Sequence, residues 1–174
     1  MNKIAVIGAT GKLGKELMKH NDAIECPVRF QNSDEFVTWF EIHKEIDTVW
    51  HVARACRKNG IRRDFSTFML EYNAMQKLLS SRASDCRFVY ASTKVVYGVT
   101  GDDVDPRSVE FVSRYFMDSD IGTVNCPNHK KTNLVDTTQL GKEHLIYAMT
   151  KLACERLIRA KCQNYKILRI WDII

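Results

Sequence analysis

Apolar positions along the chain switch between short, nearly continuous runs and longer stretches at helical spacing. The first run, Ile4-Ala5-Val6-Ile7, is strand-forming and meets three glycines three apart, Gly8, Gly11 and Gly14, before Lys15-Glu16-Leu17-Met18-Lys19 continues with helical composition. A buried strand that turns tightly into a helix is predicted. A second strand is predicted over residues 26–30. Ser33-Asp34-Glu35 then reads as a helix N-cap with two acids in the first turn, and the helix runs to about residue 45 with Phe36, Val37, Phe40 and Trp39 on its apolar face. Thr48-Val49-Trp50-His51-Val52-Ala53 is a third strand. It ends in the small Ala53, where a cofactor can lie close, and His51 inside it reads as a packed histidine.

After this strand, residues 54–63 hold the basic cluster Arg54, Arg57, Lys58, Arg62 and Arg63, a solvated loop or a clamp for a substrate phosphate. Phe65, Phe68, Met69, Tyr72, Met75, Leu78 and Leu79 follow helical spacing over residues 64–82. Residues 86–91 form the next buried strand, with Ser92-Thr93 at its carboxyl end facing a ligand crevice. Residues 99–141 are rich in Asp, Asn, Thr and Lys and read as a substrate loop or an inserted subdomain. A helix over residues 142–161 carries Leu145, Ile146, Met149, Leu152, Ala153, Leu157 and Ile158 on a broad apolar face, and residues 165–171 supply a last strand. This alternation predicts one α/β domain over residues 1–174, built on a parallel sheet with right-handed crossovers.

Composition narrows the function. With 45% hydrophobic residues among 174, the chain can bury one good core. No run approaches the ~20 apolar residues of a membrane span, and no signal-peptide layout opens the chain, so a cytoplasmic protein without membrane contact is expected. The six cysteines form no C-x-x-C pair, which predicts reduced structural thiols and no metal site. A net charge of +5 without a nucleic-acid motif suits a phosphate-bearing small molecule. The glycine turn fits that ligand: Gly8 can take backbone angles closed to other residues, Gly11 leaves room for a pyrophosphate, and Gly14 lets helix and strand pack closely.

Taken in order, these segments resemble the extended short-chain dehydrogenase/reductase family, which includes nucleotide-sugar epimerases, dehydratases and reductases. Val6-Ile7-Gly8-Ala9-Thr10-Gly11-Lys12-Leu13-Gly14 is similar to its G-x-x-G-x-x-G turn, and Trp50-His51-Val52-Ala53 to its strand ending in His-x-Ala. Ser92-Thr93-Lys94-Val95-Val96-Tyr97-Gly98 resembles its Ser-Thr segment, Tyr147-x-x-x-Lys151 with Glu155 its Tyr-x-x-x-Lys helix, and Ile167-Leu168-Arg169 its late strand. The resemblance implies a Rossmann-type doubly wound sheet that binds NAD or NADP, with Thr93, Tyr147 and Lys151 as the catalytic set. It also implies cofactor contacts from Gly8, Thr10, Gly11, Lys12, Leu13, Gly14, Arg29, Phe30, Val52, Ala53, Arg54, Asn73, Ala91 and Ser92, together with Tyr147 and Lys151.

Side-chain chemistry agrees with that assignment. A tyrosine and a lysine four apart share one helix face, so Lys151 can stand beside Tyr147 and favour its phenolate by charge. Thr93 would hold the same substrate oxygen while a hydride moves to or from the nicotinamide ring. Departures from the family pattern shape the rest. The segment that in this family usually follows the last strand, and carries most of the nucleotide-sugar site, is expected to be largely missing. Arg29-Phe30 stands where an Asp and an apolar residue are common, so NAD and NADP are not separated, although Arg29 favours a phosphate. Lys94-Val95 in place of Asp-Glu argues against sugar dehydration. Two functions follow: an oxidoreductase or epimerase acting on a nucleotide sugar or similar hydroxyl or carbonyl substrate, or a non-catalytic dinucleotide sensor serving a partner. A homodimer is expected, since the family commonly pairs the helices over residues 64–82 and 142–161 between subunits.

Overall fold

The computed structural model describes residues 3–54, 65–93 and 142–170. Among the described residues five parallel strands form one sheet: β1 Lys3–Ile7, β2 Ala23–Cys26, β3 Ile46–His51, β4 Arg87–Thr93 and β5 Tyr165–Ile170, in the order β2-β1-β3-β4-β5. The described helices are α1 Lys12–Leu17, α2 Glu35–Ile42, α3 Phe65–Leu79 and α4 Lys142–Lys161, with 3₁₀ turns at Phe30–Asn32 and Arg82–Asp85. The element sequence matches the predicted alternation, and the architecture is the expected Rossmann-type α/β sheet. The basic cluster beyond Arg54 and the segment 99–141 lie outside the described residues.

Strand register explains the core. Cys26, Ile7, His51, Tyr90 and Ile167 are successive cross-strand partners, so they share one sheet face. Ala5, Val49 and Phe88 lie on the same face one rung down. Phe36 and Phe40 of α2, Met75, Leu78 and Leu79 of α3, and Cys154 and Ile158 of α4 cover it. Each such aromatic or aliphatic side chain contributes roughly 1.5–3 kcal/mol by leaving water.

Several boundaries differ from expectation for identifiable reasons. The second strand occupies Ala23–Cys26 rather than residues 26–30, since Ile7 pairs with Cys26 at the last rung and Pro27 has no N–H with which to extend the ladder. Phe30 instead opens a 3₁₀ turn, and α2 starts at Glu35 with no side-chain cap, so Ser33 is not the N-cap. Val37, Phe65, Met69 and Met149 point outward, although their spacing put them on apolar faces. Strand β3 begins two residues early, at Ile46, and β4 runs on through Thr93.

Candidate active site

In an open parallel sheet a ligand lies outside the carboxyl ends of the strands where the strand order reverses. Here β1 is flanked by β2 on one side and β3 on the other, so the crevice opens above the residues that follow β1 and β3. Those are the glycine turn and Val52-Ala53-Arg54. Val52 N–H donates to Ile7 O at 2.9 Å, which draws the end of β3 up against the turn.

The three glycines answer to different demands. Gly8 has φ +96°, and a Cβ there would lie 2.7 Å from the Ala53 main chain. At Gly14 a Cβ would lie 2.1 Å from Gly8 O, so α1 can seat on the turn only without a side chain. Gly11 has ordinary backbone angles, and its Cβ would meet only Gly8 O at 3.4 Å. The fold does not require glycine at position 11. Thr10, Gly11 and Lys12 are exposed at the start of α1, where free N–H groups can receive an anion.

Beneath this turn lies Lys151. Its side chain is 3% exposed, and Nζ donates to Ala53 O at 3.4 Å, lies 3.2 Å from Glu71 Oε1 and sits 4.9 Å above the Tyr90 ring. The Tyr147 ring, one helical turn away, is 5.9 Å from the same nitrogen. The predicted pair on α4 is thus brought to the predicted end of β3. Thr93 is buried at the carboxyl end of β4, the strand on which α4 packs.

Ser92 behaves differently from the expectation that it faces the crevice. Its Oγ donates to Glu155 Oε1 at 2.5 Å, and Arg169 Nε and Nη2 donate to the two oxygens of the same carboxylate at 3.1 and 2.7 Å. Glu155 is fully buried, and this bidentate clamp ties β4, α4 and β5 together. Asn73 lies on the exposed side of α3, whereas Glu71, two positions earlier, is the polar group that helix sends inward. Sequence reading passed over Glu71, although an acid four positions before Met75 and seven before Leu78 falls on the buried stripe. Arg29 and Arg54 are exposed near the strand ends, Ala91 is half-buried, and Phe30 stacks on His51 with ring centroids 5.9 Å apart.

His51 is the packed histidine its position predicted. It is caged by Phe30, Phe88 and Tyr90, and Nδ1 has no hydrogen-bond partner among the described residues. Burial, and secondarily the charge of Lys151, push its proton affinity down to a pKa of about 3 from 6.5. The unfolded ring therefore binds a proton between those values and the folded ring does not. Stability from this group is complete above about pH 6.5 and falls by about 1.4 kcal/mol per pH unit below it. Urea midpoints at pH 7.5 and 5.5 are expected to drop further for the native chain than for His51→Leu; equal drops would refute the assignment. Burial likewise raises the thiols of Cys26 and Cys154 to about 12 and that of Cys162 to about 11, so these free cysteines are protonated and inert.

The profile of the NAD dependent epimerase/dehydratase family matches residues 4–171. No curated protein is significantly similar to the chain. Solved structures with the same fold include a GDP-mannoheptose C4 reductase from Campylobacter jejuni with NADP bound, at 10% identity and a TM-score of 0.64, with 99% of this chain covered and 48% of that one. A UDP-glucose 4-epimerase from Brucella ovis in complex with NAD is 16% identical with a TM-score of 0.57, covering 99% and 52%. RMD from Pseudomonas aeruginosa complexed with NADPH is 21% identical with a TM-score of 0.57, covering 99% and 53%. The chain spans about half the length of these structures. A family profile that runs over nearly every residue, on a sheet whose switch point carries the glycine turn, makes this chain a member of the NAD-dependent epimerase/dehydratase family.

Proposed function

We propose that the chain is an oxidoreductase or epimerase that uses Tyr147, Lys151 and Thr93 to move a proton and a hydride at a hydroxyl or carbonyl carbon of a small substrate, a nucleotide sugar being the proposed class. NAD or NADP is the cofactor class that family membership supplies. The observation that carries the reading is Lys151, an ammonium buried under the glycine turn by Ala53 O with the Tyr147 ring beside it.

Gly8 to Gly14 would receive the pyrophosphate, with Val52, Ala53 and Lys151 below the nicotinamide end. When bound, the dinucleotide supplies the hydride acceptor or donor. The phenolic oxygen of Tyr147 takes the substrate hydroxyl proton as the carbonyl forms, and returns it in the reverse direction. Thr93 would hold that oxygen by a hydrogen bond, and Lys151 would hold the cofactor ribose and supply positive charge near the phenol. Isothermal titration with NAD and NADP tests the first half of this scheme. Binding of at least one is expected, and failure of both at millimolar concentration would overturn it. Screening nucleotide sugars for a change in nicotinamide absorbance, or for epimerised product, tests the second half. Binding without turnover on any of them would favour the sensing module.

We further propose a homodimer in the cytoplasm. On α3 the rings of Phe65, Phe68 and Tyr72 stack at 5.5 and 5.7 Å, and Phe65, Met69 and the α4 residue Met149 are exposed by 69%, 37% and 44%. Exposed apolar groups on two neighbouring helices suit burial against a second copy. Light scattering is expected to report a dimer, and Met69→Glu with Met149→Glu a monomer. A native chain that is monomeric at every working concentration would remove the idea. No described helix is long and apolar enough to cross a membrane.

A further inference from the structure

We propose that Glu155 is a positioning residue for the proton transfer assigned to Tyr147: pinned by Ser92 and Arg169, it sets the rotation and height of α4 against the sheet and so holds Tyr147 in place. This inference rests on the catalytic reading of Tyr147 given above.

The pin joins three elements at one carboxylate. Ser92 and Arg169 are cross-strand partners near the carboxyl ends of β4 and β5, two residues beyond Tyr90 and Ile167. Both side chains therefore leave the sheet on the face that α4 covers. Ser92 Oγ donates to Glu155 Oε1 at 2.5 Å, Arg169 Nε donates to the same oxygen at 3.1 Å, and Arg169 Nη2 donates to Oε2 at 2.7 Å. Arg159 Nη2, one turn along α4, stands 3.6 Å from Oε2.

Stability alone does not call for a carboxylate at this position. Leu152, Cys154 and Ile158 already bury α4, and replacing a buried ion pair by apolar groups of similar volume is often neutral or stabilising. The ionic pin adds direction. Apolar contacts let a helix slide or roll by small amounts, whereas three hydrogen bonds that reach one carboxylate from two strands each fix a distance and an angle.

Helix geometry carries that constraint to the site. Tyr147, Lys151 and Glu155 are spaced four apart and share a face of the 20-residue α4. Lys151 is tied to Ala53 O at 3.4 Å, so the helix is held at two points about 6 Å apart along its axis. Two points fix a rod, and Tyr147 lies one turn beyond the second. Releasing the Glu155 end lets α4 roll about the Lys151 contact, and a misplacement of about 1 Å at a reacting group can cost about 100-fold in rate.

The test measures single-turnover rates on a panel of UDP- and GDP-linked sugars, together with dinucleotide dissociation constants. Ser92→Ala removes one donor and leaves the Arg169 clamp. It is expected to slow turnover about ten-fold with affinity within about two-fold of native, and Ser92→Thr, which retains the hydroxyl, should restore most of the rate. Because the effect runs through Tyr147, Ser92→Ala should cost less than about two-fold when added to Tyr147→Phe. Glu155→Met with Arg169→Met replaces the pin by apolar groups; it should keep Tm within about 5 °C of native while slowing turnover about ten-fold or more, and it decides the matter where Ser92→Ala does not fold. Native turnover in folded Ser92→Ala or in the folded apolar pair, or an equal loss in the Tyr147→Phe background, would overturn the inference and leave the proposed reaction standing. Wild-type turnover by Tyr147→Phe, or dinucleotide binding by the native chain without turnover of any sugar, refutes the catalytic reading instead, and the inference with it.

Discussion

Tyr147→Phe is expected to lower turnover by about 10²–10⁴-fold while dinucleotide affinity stays within about two-fold of native, the loss typical of removing a positioned acid or base. The ring remains, so its packing beside Lys151 is kept, and only the oxygen proposed to exchange a proton with substrate is lost. Single-turnover measurement separates this from an effect on binding. Wild-type turnover by Tyr147→Phe on any substrate would show the assignment to be wrong. Lys151→Met is expected to lose both turnover and affinity, since the proposed ribose contact goes as well. That variant also removes one partner of a buried ion pair, at a cost of roughly 3–5 kcal/mol, so it must be compared at matched fold content. Thr93→Ala should slow turnover with a smaller effect on binding, and Thr93→Ser should be mild because the hydroxyl is retained.

The glycine turn separates folding from binding by position. Gly14→Ala is expected to cost more than about 4 kcal/mol and to lower Tm by roughly 10 °C or more, because its Cβ would lie 2.1 Å from Gly8 O and 2.7 Å from Ala9 Cα, both main-chain atoms. Neither can yield without moving α1 off the sheet. Gly11→Leu is expected to leave stability within about 0.5 kcal/mol, since the Cβ at that position has only an ordinary contact at 3.4 Å. Its side chain would occupy the space above the turn, and the loss of two charge-assisted hydrogen bonds to a pyrophosphate corresponds to about 100-fold or more in affinity. Thermal melts and calorimetry on the two variants check both statements. A folded Gly11→Leu that binds dinucleotide as the native chain does would remove the turn from the binding site.

Local signals carried most of the fold. Runs such as Ile4-Ala5-Val6-Ile7 and Arg87 to Thr93 declare buried strands, the period of α3 and α4 declares helices, and the alternation of the two leaves a parallel sheet as the consistent arrangement. The glycine spacing and the Tyr147–Lys151 separation are equally local, since a turn and a helix face are defined within a few residues. By itself the sequence determined the element order, the glycine turn and which face of α4 packs towards the end of β3. Tertiary structure alone decided which polar groups are buried and with whom. Ser92 looks like a crevice residue until the sheet register turns it towards Glu155 on α4, where Arg169 from β5 completes the carboxylate's hydrogen bonds. Periodicity likewise does not tell Met75, which is buried, from Met69, which is exposed, because both lie on one broad stripe and the packing angle of α3 selects between them. Glu71 and Lys151 are far apart in sequence, and an acid and a base gain by pairing only once both have been taken out of water, a condition that the assembled core creates and no local pattern encodes.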